Sequence, residues 1–202
     1  MMKNLIYFLL IWVLLSCKSS LYQSTHHSTL EEHNSMIPQY SRKQWSHWID
    51  KDNNCLNTRQ ELLKSRSLTP IVLSKNGCRV ISGTWDDYYY PERLFLTKDI
   101  DIDHVIPLKH AHQNGGYKWS FQQKEEFAND FENLVITNKL YNRKKGSQGI
   151  DKWLPAKIEY ACKYAKNWFY LKKKYQLTIT DSEINSAKQL ILQGCSLPEF
   201  PH

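Results

Sequence analysis

Hydrophobic and polar positions divide the chain into three regimes. Residues 5–15 form an unbroken apolar run, residues 18–40 have no apolar periodicity, and beyond residue 40 the spacing names elements. Asn57-x-x-Gln60 ahead of Leu62-Leu63 predicts a capped helix ending near Ser65. Residues 70–73 and 78–85 have strand composition, bounded by Gly77 and Gly83. Over residues 99–106, Ile100, Ile102 and Val105-Ile106 alternate with Asp99, Asp101 and Asp103. That pattern predicts a strand with an acidic face, stopped by Pro107. Residues 121–130 predict a helix, 133–137 a short strand, and 139–145 a short helix stopped by Gly146. Pro155 opens a long amphipathic helix reaching about Tyr175, with the proline in its first turn. The box Thr180-Asp181-Ser182-Glu183 opens another, ending at Gly194. No linker or repeat interrupts residues 41–202, so the pattern predicts one α+β domain.

The apolar run sorts the chain instead of folding. With Lys3 ahead of it, it has the length of a secretory h-region, and it falls short of the ~20 apolar residues that a membrane-spanning helix needs. Its end, Leu14-Leu15-Ser16-Cys17, resembles a bacterial lipobox. The resemblance implies a signal peptide at 1–16 and lipidation of Cys17, so that residues 17–40 become a lipidated, flexible tether to a membrane. Lys18 after the cysteine favours the outer membrane or cell surface over a soluble periplasmic or secreted protein.

Charge and cysteines narrow the partners. Lys and Arg number 27 against 20 Asp and Glu, a formal +7, and 13% of residues are aromatic, which suits a surface that meets nucleic acid or polysaccharide, though aromatics also build cores. In an exported chain, Cys55, Cys78, Cys162 and Cys195 meet oxidising conditions and are expected to pair. Three connectivities are open; sequence-local pairing, Cys55–Cys78 and Cys162–Cys195, is the expectation. No C-x-x-C pair supports a structural zinc site instead.

Chemistry-bearing residues concentrate between 101 and 146. Asp101-Ile102-Asp103-His104-Val105-Ile106-Pro107 is followed by Asn133-Leu134-Val135 and then Asn142-Arg143-Lys144-Lys145-Gly146. This order resembles the HNH nucleases of the ββα-metal superfamily. Flanking motifs extend the resemblance: Cys55-x-Asn57-Thr58-Arg59, Cys78-x-Val80-x-x-Gly83-x-Trp85, Phe127-Ala128-Asn129-Asp130 and Trp153-Leu154-Pro155. Together they are similar to small secreted HNH endonucleases related to the nuclease domain of modification-dependent restriction enzymes. The resemblance implies an HNH core with an N-terminal helix and strand elaboration, C-terminal long helices and disulfide staples. It also implies metal-dependent hydrolysis of phosphodiesters, DNA before RNA, with low sequence specificity.

The residues allow that chemistry. His104, with an unperturbed pKa of about 6.5, can serve as general base. The carboxylate of Asp103 and the amide oxygen of Asn142 suit a hard divalent ion, Mg²⁺ first, with Mn²⁺ or Zn²⁺ as alternatives. Asn133 has the family's middle position, catalytic in the sense of orienting the base or its loop. Arg143, Lys144 and Lys145 are candidate phosphate contacts. Asp103 and His104, adjacent on a strand, ordinarily point to opposite faces and share a site only where the strand bends or ends. His110 and His112 are expected in a loop shaping the substrate groove. Asp50-x-Asp52-x-Asn54 with Glu61 mimics a calcium loop, but Cys55 stands where such a loop needs glycine. The expected protein is a monomer; a catalytically silent DNA-binding lipoprotein is the alternative.

Overall fold

The computed structural model describes residues 37–197, and from Tyr40 onward they belong to one compact unit. The signal segment, the tether up to residue 36 and Cys17 lie outside the described residues. The first helix, α1 (Thr58–Ser65), starts where Asn57 accepts a hydrogen bond from the Gln60 amide. Strands β1 (Val72–Leu73), β2 (Val80–Asp86) and β3 (Arg93–Leu96) form an antiparallel sheet in that order. Leu62 and Leu63 of α1 pack with Val80, Trp85 and Leu94 of this sheet.

A second sheet carries Asp101, Asp103 and His104. Strands β4 (Ile100–His104) and β5 (Leu134–Asn138) pair antiparallel without a break, from Ile100 opposite Asn138 to His104 opposite Leu134. Ile100, Ile102, Leu134 and Ile136 bury one face against α1 and β2, which leaves the other face to Asp101 and Asp103. Between the strands lie α2 (Leu108–Gln113) and α3 (Phe121–Asn129), the latter opened by a Ser120–Gln123 capping box. Helix α4 (Lys139–Lys145) follows β5 directly, with Asn138 accepting from the Leu140 amide. Helices α5 (Ile158–Lys174) and α6 (Asp181–Leu192) close the domain over an aromatic core that includes Trp45, Tyr89, Phe127, Tyr164 and Trp168. The class is α+β, as the pattern predicts, and the bridges are Cys55–Cys78 and Cys162–Cys195.

Several boundaries differ for physical reasons. Pro107 does not simply stop a strand. Its backbone, at φ −58°, stands at the N-cap of α2, a place that suits a fixed φ and a missing N–H. That helix carries His110 and His112 inward, away from any groove. His110 Nε2 meets Glu183 Oε1 at 3.1 Å, and His112 is buried with its ring 5.6 Å from that of Tyr40. β3 has no alternation to announce it, since Phe95 and Leu96 are both exposed.

Glu183 shows how the last two helices lock. Its carboxylate accepts from Lys172 Nζ at 2.9 Å, Trp168 Nε1 at 3.0 Å and the Thr180 amide at 2.7 Å, as well as facing His110. Burial alone would raise its pKa. The partners, His110 and Lys172 foremost, outweigh that and hold it at about 2.

Candidate functional site

His104 is the last residue of β4, and three elements fix it. Its Nε2 lies 2.9 Å from the carbonyl oxygen of Ala128, at the end of α3. A carbonyl only accepts, so Nε2 carries the proton, and the neutral ring presents Nδ1 as a lone pair. Burial depresses the pKa to about 3, against the pull of the Ala128 carbonyl, so the ring is neutral across the physiological range. Asn133 takes the segment that follows. Its Oδ1 accepts from the Ile106 amide at 2.9 Å, and its own carbonyl accepts from the Val105 amide at 2.8 Å. The chain therefore leaves β4 in one defined direction just after the imidazole.

The ring's neighbours come from the segment ahead of α1. The rings of His47 and Trp48 lie 6.4 and 6.1 Å from that of His104. Trp48 adopts a φ of 62°, a left-handed conformation costly for a bulky residue. Asn129 holds it there. Its Oδ1 accepts from the Trp48 amide at 3.0 Å and from Thr58 Oγ1 at 2.7 Å, while its Nδ2 donates to the Ser46 carbonyl at 2.9 Å. His47 Nδ1 lies 2.8 Å from the Trp45 carbonyl, and its Nε2 lies 3.1 Å from Arg42 Nη2. Desolvation, with the Arg42 charge adding to it, lowers the pKa of His47 although the Trp45 carbonyl opposes this.

The acidic face of β4 meets α4. Asn142 Nδ2 donates to Asp101 Oδ2 at 3.0 Å, so the amide foreseen beside Asp103 is bonded to Asp101. Asp103 Oδ2 accepts from Tyr89 Oη at 2.6 Å and from Lys145 Nζ at 2.8 Å. Lys145 also donates to the His104 carbonyl at 2.8 Å. It is wholly buried, which corrects its expected role as a phosphate contact: its ammonium is committed to β4. Burial pulls its pKa below the ordinary lysine range against the attraction of Asp103. Tyr89, buried beside the same carboxylate, is held protonated and therefore able to donate. Arg143 and Lys144 are exposed at the end of α4, where they also complement the helix dipole.

Asp103 and His104 thus leave β4 on opposite faces, one towards Tyr89 and Lys145, the other towards Ala128 and Trp48. The strand ends at His104, so its tip lies between the two sets. Among the described residues no group of three or more His, Cys, Asp or Glu side chains could hold a metal ion. Asp101 and Asn142, joined by their hydrogen bond, and Asp103, two residues further on the same face of β4, offer two carboxylates and an amide. This matches what a hydrated Mg²⁺ takes from a protein. Asp103 Oδ1 takes no hydrogen bond among the described residues, and its side chain keeps 9% of its surface exposed. The donor chemistry therefore fits a hard cation. Lys145 already supplies one positive charge there.

Asp101, Tyr89 and the His47–Trp48 pair are the neighbours that sequence reasoning missed. Asp101 was visible as part of the acidic alternation, and Trp48 opens a motif, Trp48-x-Asp50-x-Asp52, that shares the family resemblance; nothing in the sequence marked Tyr89 or His47. The calcium-like loop is closed on itself, since Asp50 accepts from the Asn54 and Cys55 amides and Asn54 donates to Asp52 and Glu61.

Comparison with known proteins adds two findings. The model of the family "GmrSD restriction endonucleases, C-terminal domain" matches residues 57–186, which include Tyr89, Asp101, Asp103, His104, Asn133, Asn142 and Lys145 but not His47 or Trp48. A protein of Arthroderma benhamiae, described as an uncharacterized secreted protein, is 35% identical over 158 residues, covering 77% of this chain and 76% of its own. No solved structure matches the chain.

Proposed function

Given that the chain belongs to the family of GmrSD restriction endonuclease C-terminal domains, we propose that it is a nuclease of the HNH type, hydrolysing phosphodiester bonds of nucleic acid, DNA in the first place, with a divalent metal. Two short strands and a following helix, β4, β5 and α4, would form its ββα core. One observation carries this reading. His104 stands at a strand end with its tautomer set by Ala128 and the following loop clamped by Asn133. A buried structural histidine also needs a partner for its N–H, but it does not need the backbone that follows it to be clamped as Asn133 clamps residues 105 and 106.

In this reading the scissile phosphate lies across the tip of β4. His104 Nδ1 receives the proton of the attacking water; the bond from Nε2 to the Ala128 carbonyl leaves that nitrogen as the lone pair able to accept it. Asn133 holds the loop so that the imidazole keeps its aim. Asp101, Asp103 and Asn142 would hold the cation, Mg²⁺ before Mn²⁺ or Zn²⁺, which supplies charge stabilisation to the phosphate and leaving oxygens. Lys145 and Tyr89 orient Asp103 from behind, leaving its second oxygen for that task. Arg143 and Lys144 would contact phosphates. The secreted relative and the two bridges support export; attachment through Cys17 and a monomeric state belong to the same proposal.

The test is plasmid cleavage by the full chain with Mg²⁺, Mn²⁺, Zn²⁺ or EDTA. Nicking that EDTA abolishes and that His104→Ala lowers by at least about 10²-fold, the lower range for loss of a general base, supports the reading. Lys145 favours one rival, a silent DNA-binding lipoprotein, because its ammonium occupies Asp103 Oδ2 where a cation would be drawn. That rival binds DNA equally well with or without EDTA and never cuts it.

A further inference from the structure

The two polar clefts near α1 carry opposite charge. The larger, about 990 Å³ between α1 and α3, is lined by Asp52, Glu61, Glu125, Glu126 and Asp130 against Lys51 and Lys174, so its balance is acidic. The smaller, about 410 Å³, lies where α1, the start of β2 and the turn before β4 meet. Arg59, Arg79 and Lys98 line it together with Gln60, Leu96 and Thr97, and no carboxylate does.

This second cleft is built, and it leads to the candidate site. The Cys55–Cys78 bridge ties the chain before α1 to the residue preceding Arg79. Gln60 Oε1 accepts from the Val80 amide at 2.8 Å, and Thr97 Oγ1 donates to the carbonyls of Val80 and Ile81, each at 3.0 Å. Arg59 forms the floor. Its guanidinium donates to the Ile100 carbonyl at 2.9 Å and feels the charge of Asp101. Asp101 in turn holds Asn142, and Arg143 follows on α4. Arg79 and Lys98 stand exposed at the opening, while Leu96, 43% exposed, offers an apolar wall to a sugar or base.

We propose that this cleft is a phosphate-binding subsite through which a polynucleotide backbone, flanking the bond to be cut, is carried onto the tip of β4, with Arg79 and Lys98 as its contacts. The proposal rests on the nuclease reading and extends it. Neither residue touches the reacting atoms, so both set binding of long substrates and leave the bond-breaking step alone.

The full-length protein and its Arg79→Gln/Lys98→Gln double variant are compared on two substrates, plasmid DNA and the small diester bis(p-nitrophenyl) phosphate. Turnover of the small diester is expected to stay within about twofold, while kcat/KM for plasmid falls about tenfold or more. Binding to a labelled DNA duplex, in a His104→Ala background, is expected to lose about 2 from its slope against log salt, since each phosphate contact contributes about 0.9. An RNA oligonucleotide of equal length distinguishes a general backbone contact, weakened equally, from one that requires DNA. Lys188→Gln, neutralising an exposed lysine on α6, keeps the native slope. An unchanged slope in a double variant with native thermal unfolding overturns the proposal. A parent that cuts neither substrate overturns the nuclease reading instead, and the slope still decides the subsite.

Discussion

Two buried lysine–carboxylate pairs sit in this domain, and they are built for different ends. Lys172 and Glu183 join α5 to α6, and Glu183 spends both oxygens: Lys172, Trp168, His110 and Thr180 surround it. Lys145 and Asp103 join α4 to β4, and both donors to Asp103, Lys145 and Tyr89, converge on Oδ2, with Oδ1 unspent. A saturated pair is a staple. An unsaturated one beside a strand end keeps capacity in reserve, and that difference separates architecture from candidate chemistry more sharply than burial does, since both lysines are equally inaccessible.

The comparison can be broken by substitution. Lys172→Met strands the Glu183 charge and should cost on the order of 3–5 kcal/mol by urea unfolding, with activity per folded molecule unchanged. Asp103→Asn retains shape but strands the buried Lys145 ammonium, so it too should cost stability; what sets it apart is that plasmid cleavage per folded molecule drops by about 10²-fold, on the order of 3 kcal/mol of barrier. Loss of activity in the first and retention in the second would reverse the assignment of roles.

Acid sharpens the comparison further. Glu183, held at about 2 when folded against an ordinary 4.5, contributes stability that is full above pH 4.5 and lost as pH falls towards 2. His110 and His104, both depressed by burial, act in the same sense from pH 6.5 downward, because the unfolded chain binds their protons first. Melting temperature should therefore fall steadily below pH 6.5, and Glu183→Gln should flatten the portion below pH 4.5. The smallest effect is expected at Tyr89→Phe. It removes one donor from Asp103 and should cost about 1 kcal/mol of stability, with a raised metal requirement for cleavage as the measurable sign of a loosened carboxylate.

The pattern of the sequence carried much of this. The cap at Asn57, the box at Thr180, and the alternation from Ile100 to His104 act over four or five residues, and the elements follow them. The disulfide pairing is the one expected of sequence neighbours, 23 and 33 residues apart, although the cysteines alone left two other connectivities open. Periodicity does not report which partner an acidic face meets. Hence Asn142 bonded to Asp101 and Lys145 turned inward were both hidden in a stretch that reads as a basic, solvated helix end. Tyr89 and the His47–Trp48 pair reach the site across long sequence separations, through contacts that no local rule encodes.

Asn129 has a consequence in time as well as in space. Its bonds to Ser46, Trp48 and Thr58 close loops of 83, 81 and 71 residues, so they lie among the most entropically demanding contacts of the domain. On a chain that emerges from the ribosome amino end first, the His47–Trp48 wall has nothing to anchor it until α3 is complete. The imidazole's surroundings thus assemble late, after α1 and the first sheet have had the means to form from nearer neighbours.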